Sequence, residues 1–344
     1  MRVGIVGAGA GAAALTHVLD GATEAETVVI EKSGGLCGRA ATRRRGPVTY
    51  DYGANYLKDD DDRVVDLVTE TLDTEGLVDA TEPIWTFDGA GDVSEGRPAD
   101  DHKWTYRAGL TQIAKRLFGH TDATVHRRTR VESVERDGET WRLTDADGDR
   151  WGPFDRLVLN PPAPQTVALL RAADWDAPAR DRLVTAADGV DFAAVWTAVL
   201  GYPFALERPY YALVNVDDEH PIGWVAREEC KPGHVPDDES VLVVQAGHDW
   251  SAARSEADAD AVVPDLVEET AALLDDDRLR EPEWTDHQFW RYALPESGVE
   301  RGAARAAEEH GLYVVGDWVA GEARLHTALR NGLEVGERLA LAGD

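Results

Sequence analysis

The sequence predicts an α/β fold joined to an α+β part: a parallel-sheet domain assembled from separated segments of the chain, and a mixed-sheet domain inserted between them. Three observations lead to this prediction. The chain begins with a strand, a glycine-rich turn, a helix and a second strand. Its middle carries short strands with Asp-Gly turns between them, which are typical of antiparallel sheets. Its C-terminal part returns to a strand followed by a long helix.

The first strand and helix enclose a glycine motif. "RVGIVG" is a short apolar run with β-branched residues, which is typical of a buried strand. Gly7, Gly9 and Ala12 then fit the pattern G-x-G-x-x-A, a helix follows, and a second strand, "TVVIE", ends at Glu31. This order is the fingerprint of a Rossmann dinucleotide-binding unit. A basic residue followed by an apolar run also begins secretory signals, but the spacing of the glycines favours the Rossmann unit.

Each residue of the motif has a physical reason. Gly7 permits the tight turn, Gly9 lets the backbone approach a pyrophosphate, and the small Ala12 lets the helix lie close to the sheet. The N-terminus of the helix offers free N–H groups and the positive end of its dipole to an anion. The carboxylate of Glu31 can accept two hydrogen bonds from an adenosine ribose. The residues predicted to contact the dinucleotide in this unit are Gly7, Ala8, Gly9, Ala10, Gly11, Ala12, Glu31 and Lys32.

The rest of the chain predicts further elements in order. An acidic run at 59–62 suits the start of a helix, because carboxylates stabilise a helix N-terminus. The elements predicted after it are a helix at 63–80, hairpin strands at 85–109, a helix at 110–119, a meander at 130–160 whose last strand at 156–160 is buried, a proline-rich exit and a helix at 161–170, strands at 192–200, 222–227 and 240–246, a helix at 255–275, a strand at 311–317 and a helix at 324–343.

Length and composition bound the class of protein. A chain of 344 residues can bury a sizeable core and suits two domains. It has no apolar run near the roughly 18 residues that a transmembrane helix needs. Cys37 and Cys230 make neither a disulfide framework nor a metal cluster, so a reducing cytoplasm and no metal are expected.

The formal net charge of −30 at pH 7 is extreme, and most of the basic residues are Arg. The acids are spread along the whole chain, which favours a surface adapted to concentrated salt, as in halophiles, over a single acidic binding face. Nucleic acid is disfavoured as a partner because its phosphates would be repelled. No membrane partner is expected either.

Three motifs together resemble the FAD-dependent amine-oxidase superfamily. They are "GAGAGA" with Glu31, "CGRAAT" at 37–42 and "LYVVGDW" at 312–318. In this superfamily the second motif usually reads GGR, so Cys37 stands where a glycine is expected. A Rossmann unit alone would slightly favour NAD, and the C-terminal "GDW" segment shifts the expected cofactor to non-covalently bound FAD. The resemblance implies further cofactor contacts at Gly38, Arg39, Ala54, Val131, Gly316, Asp317, Leu325 and Ala328.

The implied contacts have a physical sense. Asp317 would meet the ribityl or pyrophosphate groups, unless it only caps a helix or a turn. The N-terminus of the last helix, from Leu325 to Ala328, would point at the pyrimidine edge of the flavin, where negative charge gathers on reduction. Arg39 can pair bidentately with the pyrophosphate, or with an acid on the surface.

Within that superfamily the sequence is most similar to renalase and its microbial relatives. The segments that carry this likeness are "YDYGANY" at 50–56, "IGWVAREECKPGH" at 222–234, "GHDWSAA" at 247–253 and "HQFWRYALP" at 287–295. The resemblance implies an FAD-dependent oxidoreductase that transfers hydride from 2- or 6-dihydro isomers of NAD(P) to flavin N5, with oxygen reoxidising the flavin to give peroxide. The expected partner is thus a small molecule, a dihydronicotinamide dinucleotide.

The same segments supply the candidates for substrate contact. A dihydropyridine ring has to be stacked against the flavin and shielded from water, which suits the aromatic Tyr56, Trp224 and Trp290, with Asn55 as a polar orienting group. Each tryptophan could equally be part of the core. The predicted substrate-binding residues are Arg227 and Arg291, which suit phosphates but could equally form structural ion pairs, and His287, which could instead cap a strand.

Two classes of alternative remain open. The first is another flavoenzyme, an amine oxidase or a carotenoid-type desaturase. Amine oxidases of this superfamily often use a lysine bound through water to flavin N5, and Lys231 of the inserted domain lies in a turn-like "CKPG". The second is an NAD-dependent dehydrogenase or a cofactor-binding regulatory protein without flavin.

The predicted domains follow from the order of these elements. Residues 1–75, 105–165 and 286–344 are expected to form the Rossmann-type FAD-binding domain. Residues 76–104 and 166–285 are expected to form the inserted mixed-sheet substrate domain.

Overall fold

The computed structural model describes residues 1–96 and 101–343, so residues 97–100 of the predicted hairpin region and residue 344 lie outside the described residues. Its strands are β1 (Arg2–Val6), β2 (Glu26–Glu31), β3 (Thr42–Arg45), β4 (Val48–Asp51), β5 (Leu57–Lys58), β6 (Leu77–Asp79), β7 (Ile84–Phe87), β8 (Val93–Ser94), β9 (Lys103–Tyr106), β10 (Thr124–Arg127), β11 (Val131–Asp137), β12 (Thr140–Asp145), β13 (Arg150–Phe154), β14 (Arg156–Leu159), β15 (Phe192–Tyr202), β16 (Ala212–Asn215), β17 (Ile222–Arg227), β18 (Ser240–Ala246), β19 (Trp284–Pro295) and β20 (Leu312–Val314). Its α-helices are α1 (Ala10–Ala22), α2 (Asp62–Asp66), α3 (Thr111–Gly119), α4 (Ala163–Arg171), α5 (Pro178–Asp188), α6 (His248–Ala252), α7 (Ala259–Leu273), α8 (Arg301–Glu308), α9 (Asp317–Ala320) and α10 (Leu325–Leu341). Among the described residues, no helix has both the length and the apolar character needed to cross a membrane.

Five strands form a parallel sheet in the order β10-β2-β1-β14-β20. β1, β2 and β14 are nearly continuous apolar runs, because both faces of this sheet are covered. α1, α3 and α10 bury one face, and α4, α5 and α8 bury the other together with the small sheet β11-β12-β13. This arrangement confirms the predicted Rossmann-type α/β part, and it places the glycine motif and Glu31 at the carboxyl ends of β1 and β2.

A second sheet has seven strands in the order β19-β15-β18-β17-β16-β7-β8. Its pairs are antiparallel except for β16 with β7, so it is a mixed sheet, as predicted. α7 covers one face through an apolar cluster. The opposite face, which carries Val199, Val241 and Val243 and which we call the inner face, packs against β4. The inner face is therefore the side of the seven-stranded sheet that packs against β4, which follows the Rossmann unit in the chain.

The acidic run begins a helix as predicted, but the predicted helix at 63–80 is wrong in its length. The side chain of Asp61 accepts a hydrogen bond from the first turn of α2 at 3.2 Å, and a π-helical turn at Leu67–Thr71 follows α2. Gly76, at φ +74°, then turns the chain into β6, which pairs with β9. The sequence suggested a longer helix because the apolar residues of β6 continue the helical pattern. Their strand partner, β9, comes from a distant part of the chain and gives no local signal.

The pairing of β19 and the packing of α4 and α5 differ from the predicted domain boundaries. The predicted boundary at 286 cuts β19, which pairs with β15 along its length, so residues 286–295 lie in the seven-stranded sheet. α5 and all but the first three residues of α4 were predicted in the inserted domain, but both helices pack against the parallel sheet through Val167 and Leu183. Strand and helix patterns are local, whereas the partner of an element is decided by the whole fold.

The melting temperature of the protein is expected to rise steeply when NaCl is raised from about 0.1 M to about 1 M. Acidic residues number 65 against 35 Lys and Arg, so like charges repel across the surface. The Debye length falls from about 10 Å to about 3 Å over this range, which removes most of the repulsion between separated charges. Thermal unfolding followed by circular dichroism checks this, with KCl as the matched salt. A flat response would contradict a salt-adapted surface.

Candidate functional site

The glycine turn after β1 leaves the N-terminus of α1 open. Gly7 adopts φ +92°, and its N–H donates to Ile30 O at 2.8 Å. No side chain caps α1 and no acid lies in its first turn, although the protein is rich in acids. The free N–H groups and the positive end of the helix dipole therefore remain available to an anion such as a pyrophosphate.

Glu31 ends β2 and is buried beside this turn. Its carboxylate accepts hydrogen bonds from Ala8 N at 2.8 Å and from Ser33 N at 2.6 Å. Each carboxylate oxygen has a second lone pair, so ribose hydroxyl groups can still donate to Glu31. The loop at the end of β2 is thus held in place by the same group that would bind the cofactor.

Two other predicted contacts lie near Glu31. Val131 begins β11 and is buried, and the chain that leads to it is held against Glu31 by Thr129 N, which donates to Glu31 O at 2.9 Å. Lys32 is exposed and donates from Nζ to Gln165 Oε1 at 3.1 Å. Both stay predicted contacts of the adenosine end of the cofactor.

The second motif lies directly against the first. Cys37 N donates to Ala8 O at 2.9 Å, and a methyl group added at Gly38 would come 3.4 Å from Gly9 Cα. Cys37 occupies the expected glycine position at φ +75°, a left-handed conformation that residues with side chains rarely adopt. Burial raises the pKa of the Cys37 thiol to about 12, so the thiol stays protonated and is a poor nucleophile. This chemistry supports a cofactor that is not linked covalently to Cys37.

An ion pair joins the second motif to the C-terminal one. Arg39 Nη2 lies 2.5 Å from Asp317 Oδ1, and Arg39 Nη1 donates to Ala293 O at 2.8 Å. Asp317 is buried at the start of α9 and also accepts a hydrogen bond from Trp318 N at 2.8 Å. Gly316, at φ +144°, makes the turn before it. Arg39 therefore pairs with an acid, and that acid is itself a predicted cofactor contact rather than a surface group.

Glycines bring the N-termini of α1 and α10 together. A methyl group added at Gly11 would come 3.0 Å from Ala328 O, and one added at Gly332 would overlap Gly11 O. Like α1, α10 begins without a side-chain cap and without an acid in its first turn. Asn331 of α10 accepts a hydrogen bond from Gly316 N at 2.9 Å, which ties α10 to the C-terminal motif. Two open helix N-termini thus converge on the predicted cofactor site.

The segment after β4 packs against the second motif. A methyl group added at Gly53 would overlap Arg39 O and lie 3.2 Å from Trp290 Cζ2. Ala54 N donates to Arg39 O at 3.0 Å. The indole of Trp290 stacks on Tyr52 with the ring centroids 5.3 Å apart, and its Nε1 donates to Tyr52 O at 3.1 Å. The fold therefore brings the predicted residues Arg39, Ala54 and Trp290 into one site.

An aromatic cluster lies beside this segment. The rings of Tyr56 and Trp224 have centroids 6.4 Å apart, and the ring of Tyr211 lies 6.1 Å from Tyr56 and 6.2 Å from Trp224. Burial raises the pKa of the Tyr56 and Tyr211 hydroxyl groups, so both phenols are neutral at neutral pH. Sequence reasoning missed Tyr211, because adjacent tyrosines at 210 and 211 leave it open which of the two faces the cluster.

A row of polar side chains crosses the inner face. The strand register pairs Gln288 with Thr197, Thr197 with Gln245, and Gln245 with Trp224, and directly paired residues point to the same face. Gln245 Nε2 donates to Gly53 O at 2.7 Å, so this polar row faces the segment after β4. Except for Trp224, the row gave no signal in the sequence, because the register is set by strand pairing.

Arg227, which was predicted to contact a substrate phosphate, is held by hydrogen bonds within the protein. Its guanidinium is buried and donates to the backbone carbonyl groups of Leu206, Arg208 and Tyr210. Its Nε donates to Glu229 Oε1 at 3.0 Å. These bonds hold the end of β17 to the neighbouring loop and leave the guanidinium with little to offer a ligand.

Arg291 and His287 lie on the wrong face of β19 for the predicted substrate contacts. Arg291 Nη2 lies 3.5 Å from Glu256, and the His287 ring lies 6.3 Å from the ring of Trp196, on the face covered by α7. Side chains alternate between the two faces of a strand, so neither residue reaches the inner face that carries Trp290.

Lys231 belongs to a fully buried group of ionisable side chains, Asp51, Glu228, Lys231 and His234, which we call the buried quartet. Lys231 Nζ lies 2.6 Å from Glu228 Oε1 and 3.2 Å from Asp51 Oδ2. His234 contacts Glu228 Oε2 at 2.8 Å through Nδ1 and Tyr106 O at 2.9 Å through Nε2. Both ring nitrogens of His234 thus face oxygen atoms, and the ammonium group of Lys231 lies between the carboxylates of Glu228 and Asp51.

The buried quartet decides the chemistry that is open to Lys231. Burial alone would lower the pKa of Lys231, but the carboxylates of Glu228 and Asp51 raise it above its ordinary value, so the amine is charged and cannot act as a base. The ligand atoms of Asp51, Glu228 and His234 lie close enough together for a metal ion. The ammonium group of Lys231 already supplies the cation between the two carboxylates.

The open turn, the two converging helix N-termini and the Arg39–Asp317 pair suit a dinucleotide whose second half reaches the inner face. The protein is an FAD-dependent oxidoreductase. The chain belongs to the family of flavin containing amine oxidoreductases, which residues 88–340 match, and residues 5–71 match the NAD(P)-binding Rossmann-like domain. The predicted cofactor, FAD, is thereby confirmed.

Solved structures of low sequence identity share this fold. A putative protoporphyrinogen oxidase from Exiguobacterium sp. 255-15 is 14% identical, with 99% of both chains covered and a TM-score of 0.80. A putrescine oxidase with bound putrescine is 12% identical, with 99% of both chains covered and a TM-score of 0.73. Cyclohexylamine oxidase from Brevibacterium oxydans IH-35A is 13% identical, with 99% of both chains covered and a TM-score of 0.72. These matches support the architecture over the whole chain.

Glu31→Ala is expected to weaken FAD binding by about 1–3 kcal/mol, the scale for losing hydrogen bonds to a charged group. The substitution also leaves Ala8 N, which donates to Glu31 at 2.8 Å, without its partner. Titration of the deflavinated protein with FAD, followed by flavin fluorescence, measures the change. Glu24→Ala, an exposed acid before β2, is the matched control. Equal affinities of the two variants for FAD would show that Glu31 does not contribute to cofactor binding.

Proposed function

We propose that the protein oxidises dihydronicotinamide-type substrates, the 2- or 6-dihydro isomers of NAD(P), with oxygen as the final electron acceptor. The observation that carries this proposal is the character of the side chains around the segment after β4. The aromatic cluster and the polar row supply rings and neutral polar groups, while the nearby Lys231 is charged and held in the buried quartet. The renalase-like segments at 50–56, 222–234 and 287–295 support the same substrate class.

A dihydropyridine ring needs little acid–base help, because its own nitrogen pushes hydride out. Bound FAD supplies the hydride acceptor. The side chains have to hold the ring at the reaction distance and keep water away. The stacked pair of Tyr52 and Trp290 offers a rigid apolar surface for this task, and Asn55 offers polar atoms that can orient the ring.

Amine oxidation is the second candidate, because it is the activity that the family's description suggests. The fold is also shared with a putrescine oxidase and a cyclohexylamine oxidase. Deprotonation of an amine substrate would call for a base, and the side chains placed in the site do not provide one. The charged state of Lys231 therefore favours the dihydronicotinamide substrate over an amine.

The proposed setting is the salt-rich cytoplasm of a halophile. A dinucleotide substrate carries phosphates, and the net charge of −30 repels them in dilute buffer. Concentrated salt screens this repulsion between separated charges. The KM for a dinucleotide substrate should accordingly fall as salt is raised.

Anaerobic stopped-flow mixing tests the proposed function. The FAD-loaded enzyme is mixed with 2-, 4- and 6-dihydro isomers of NAD(P), and separately with putrescine and cyclohexylamine, and flavin bleaching is recorded. Fast bleaching by the 2- or 6-dihydro isomers and slow or no bleaching by the amines is expected. Bleaching by an amine, with no response to any dihydronicotinamide isomer, would overturn the proposal in favour of amine oxidation.

A further inference from the structure

Four buried polar atoms of the aromatic cluster, the polar row and the segment after β4 have no hydrogen-bond partner among the described residues: Asn55 Oδ1, Thr197 Oγ1, Tyr211 Oη and Trp224 Nε1. The two hydroxyl groups can rotate to donate or to accept, whereas Asn55 Oδ1 only accepts and Trp224 Nε1 only donates, so these two atoms constrain the ligand most. Asn55 is only 9% exposed, and its Nδ2 donates to Gly53 O at 3.4 Å. Because a carbonyl oxygen only accepts, this contact favours the orientation of the amide in which Oδ1 is the unpaired atom. Buried polar atoms without partners are costly, so a ligand is expected to supply the missing partners.

Contacts of neighbouring residues connect Asn55 with Trp224. Asn55 directly precedes Tyr56, whose ring lies 6.4 Å from the ring of Trp224. Trp224 pairs with Gln245 in the polar row, and Gln245 donates to Gly53 O at 2.7 Å, just before Asn55. The unpaired donor and the unpaired acceptor thus lie between the segment after β4 and the inner face of the sheet.

The chemistry of the two atoms selects the group that can pair with both. The indole N–H of Trp224 only donates, and the side-chain oxygen of Asn55 only accepts. A primary carboxamide is complementary, because its C=O accepts from Trp224 and its NH₂ donates to Asn55. A carboxylate offers no donor to Asn55, and an ammonium group offers no acceptor to Trp224. Each of these ligands leaves one buried atom unpaired.

We propose that Asn55 and Trp224 form a carboxamide subsite that selects substrates whose ring carries a neutral primary amide. This inference rests on the proposed function and deepens it, since the dihydronicotinamide ring carries such an amide. Asn55 and Trp224 determine specificity here, and neither takes part in hydride transfer. The subsite discriminates against nicotinic acid derivatives and against amines, because a carboxylate or an ammonium group leaves one of the two buried atoms unpaired.

Calorimetric titration of the oxidised, FAD-loaded enzyme tests the subsite without turnover. The ligands are NAD⁺, its 3-acetylpyridine analogue, which lacks the NH₂, and its nicotinic acid analogue, which lacks the NH₂ and is charged. NAD⁺ should bind about tenfold or more tightly than either analogue. Asn55→Leu, of similar shape, should bind NAD⁺ and the acetyl analogue equally. Trp224→Phe should weaken both by a similar factor, because both carry the carbonyl group.

Trp85→Phe is the matched control, because Trp85 lies on the same sheet but packs into the cluster on the opposite face. It should leave the ratio of the dissociation constants unchanged. FAD content and melting temperature identify any variant that is misfolded. If a variant misfolds, the binding of the three ligands by the native enzyme still tests the subsite. Equal binding of the three ligands by the native enzyme overturns the subsite.

The two experiments can overturn the proposed function and the carboxamide subsite independently of each other. Flavin bleaching by the 6-dihydro isomer of NAD, together with equal binding of the three ligands, overturns the subsite and retains the proposed function. Absence of bleaching by every isomer, together with a tenfold preference for NAD⁺, overturns the reaction and supports the subsite.

Discussion

Replacing Lys231 with Met is expected to lower the free energy of unfolding of the FAD-loaded protein by about 3–5 kcal/mol. The substitution removes the ammonium group that lies 2.6 Å from Glu228 and 3.2 Å from Asp51, and it leaves two buried carboxylates with too little positive charge. Urea unfolding followed by tryptophan fluorescence measures the loss. Lys115→Met, which changes an exposed lysine of α3, should stay within about 0.5 kcal/mol of the native protein. Equal stability of the two variants would show that the buried quartet contributes nothing.

The same comparison has a pH window. Burial alone would raise the pKa of Asp51, but Lys231, His234 and hydrogen bonds hold it below the ordinary value of 3.8. Its contribution to stability is therefore present above pH 3.8 and is lost as the pH falls through the lower folded pKa. The pKa of Lys231 is raised above 10.5, so its contribution is full below that pH and is lost as the pH rises through the folded pKa. The two variants should differ most in stability between these limits.

Gly53→Ala is expected to lower kcat/KM by about 100-fold, the scale for displacing reacting groups by about 1 Å. The added methyl group would overlap Arg39 O and press on Trp290, so the segment after β4 has to move away from the second motif. The hydrogen bond from Ala54 N to Arg39 O would be lost with that movement. Steady-state kinetics with the substrate found by the bleaching assay measures the effect, and the flavin absorption spectrum reports the altered contact independently.

Gly21→Ala is the control for this substitution, because it adds the same methyl group to α1 where nothing lies within 4 Å. It should leave kcat/KM unchanged and slightly stabilise the helix. A Gly53→Ala enzyme with native kinetics and a native spectrum would show that the close contact at Arg39 has no role in the site.

The cofactor half of the site could be predicted because its signals are local. Gly7, Gly9, Ala12 and Glu31 lie within one strand–helix–strand unit, and their spacing alone states how the backbone must turn. The contact between Arg39 and Asp317 joins residues 278 positions apart, so only the resemblance of both motifs to one superfamily placed them together. Within the buried quartet, Asp51 and Lys231 lie 180 positions apart, so their contact has no local signal in the sequence.

The substrate half was predicted less well, and strand alternation explains why. Trp290 and Arg291 are adjacent in β19, and Trp224 and Arg227 are an odd number of residues apart in β17. Residues so related point to opposite faces, so the members of each pair could not both line one pocket. For Trp224 and Arg227 this signal was available in the sequence, because a strand was predicted at 222–227, whereas no strand was predicted where β19 lies. The polar row, by contrast, depends on the register between strands, which no single strand encodes.

The meeting of α1 and α10 at Gly11 and Ala328 makes the flavin a partner in folding. Both helix N-termini carry partial positive charge, so side by side they repel each other. The cofactor brings negative charge to both, with its pyrophosphate at α1 and the pyrimidine edge of the flavin at α10, and its binding free energy adds directly to the stability of the native state. A chain made in a cell short of flavin would therefore open more often and reach proteases sooner. The supply of flavin would therefore determine both the amount of the protein in the cell and the fraction of it that is active.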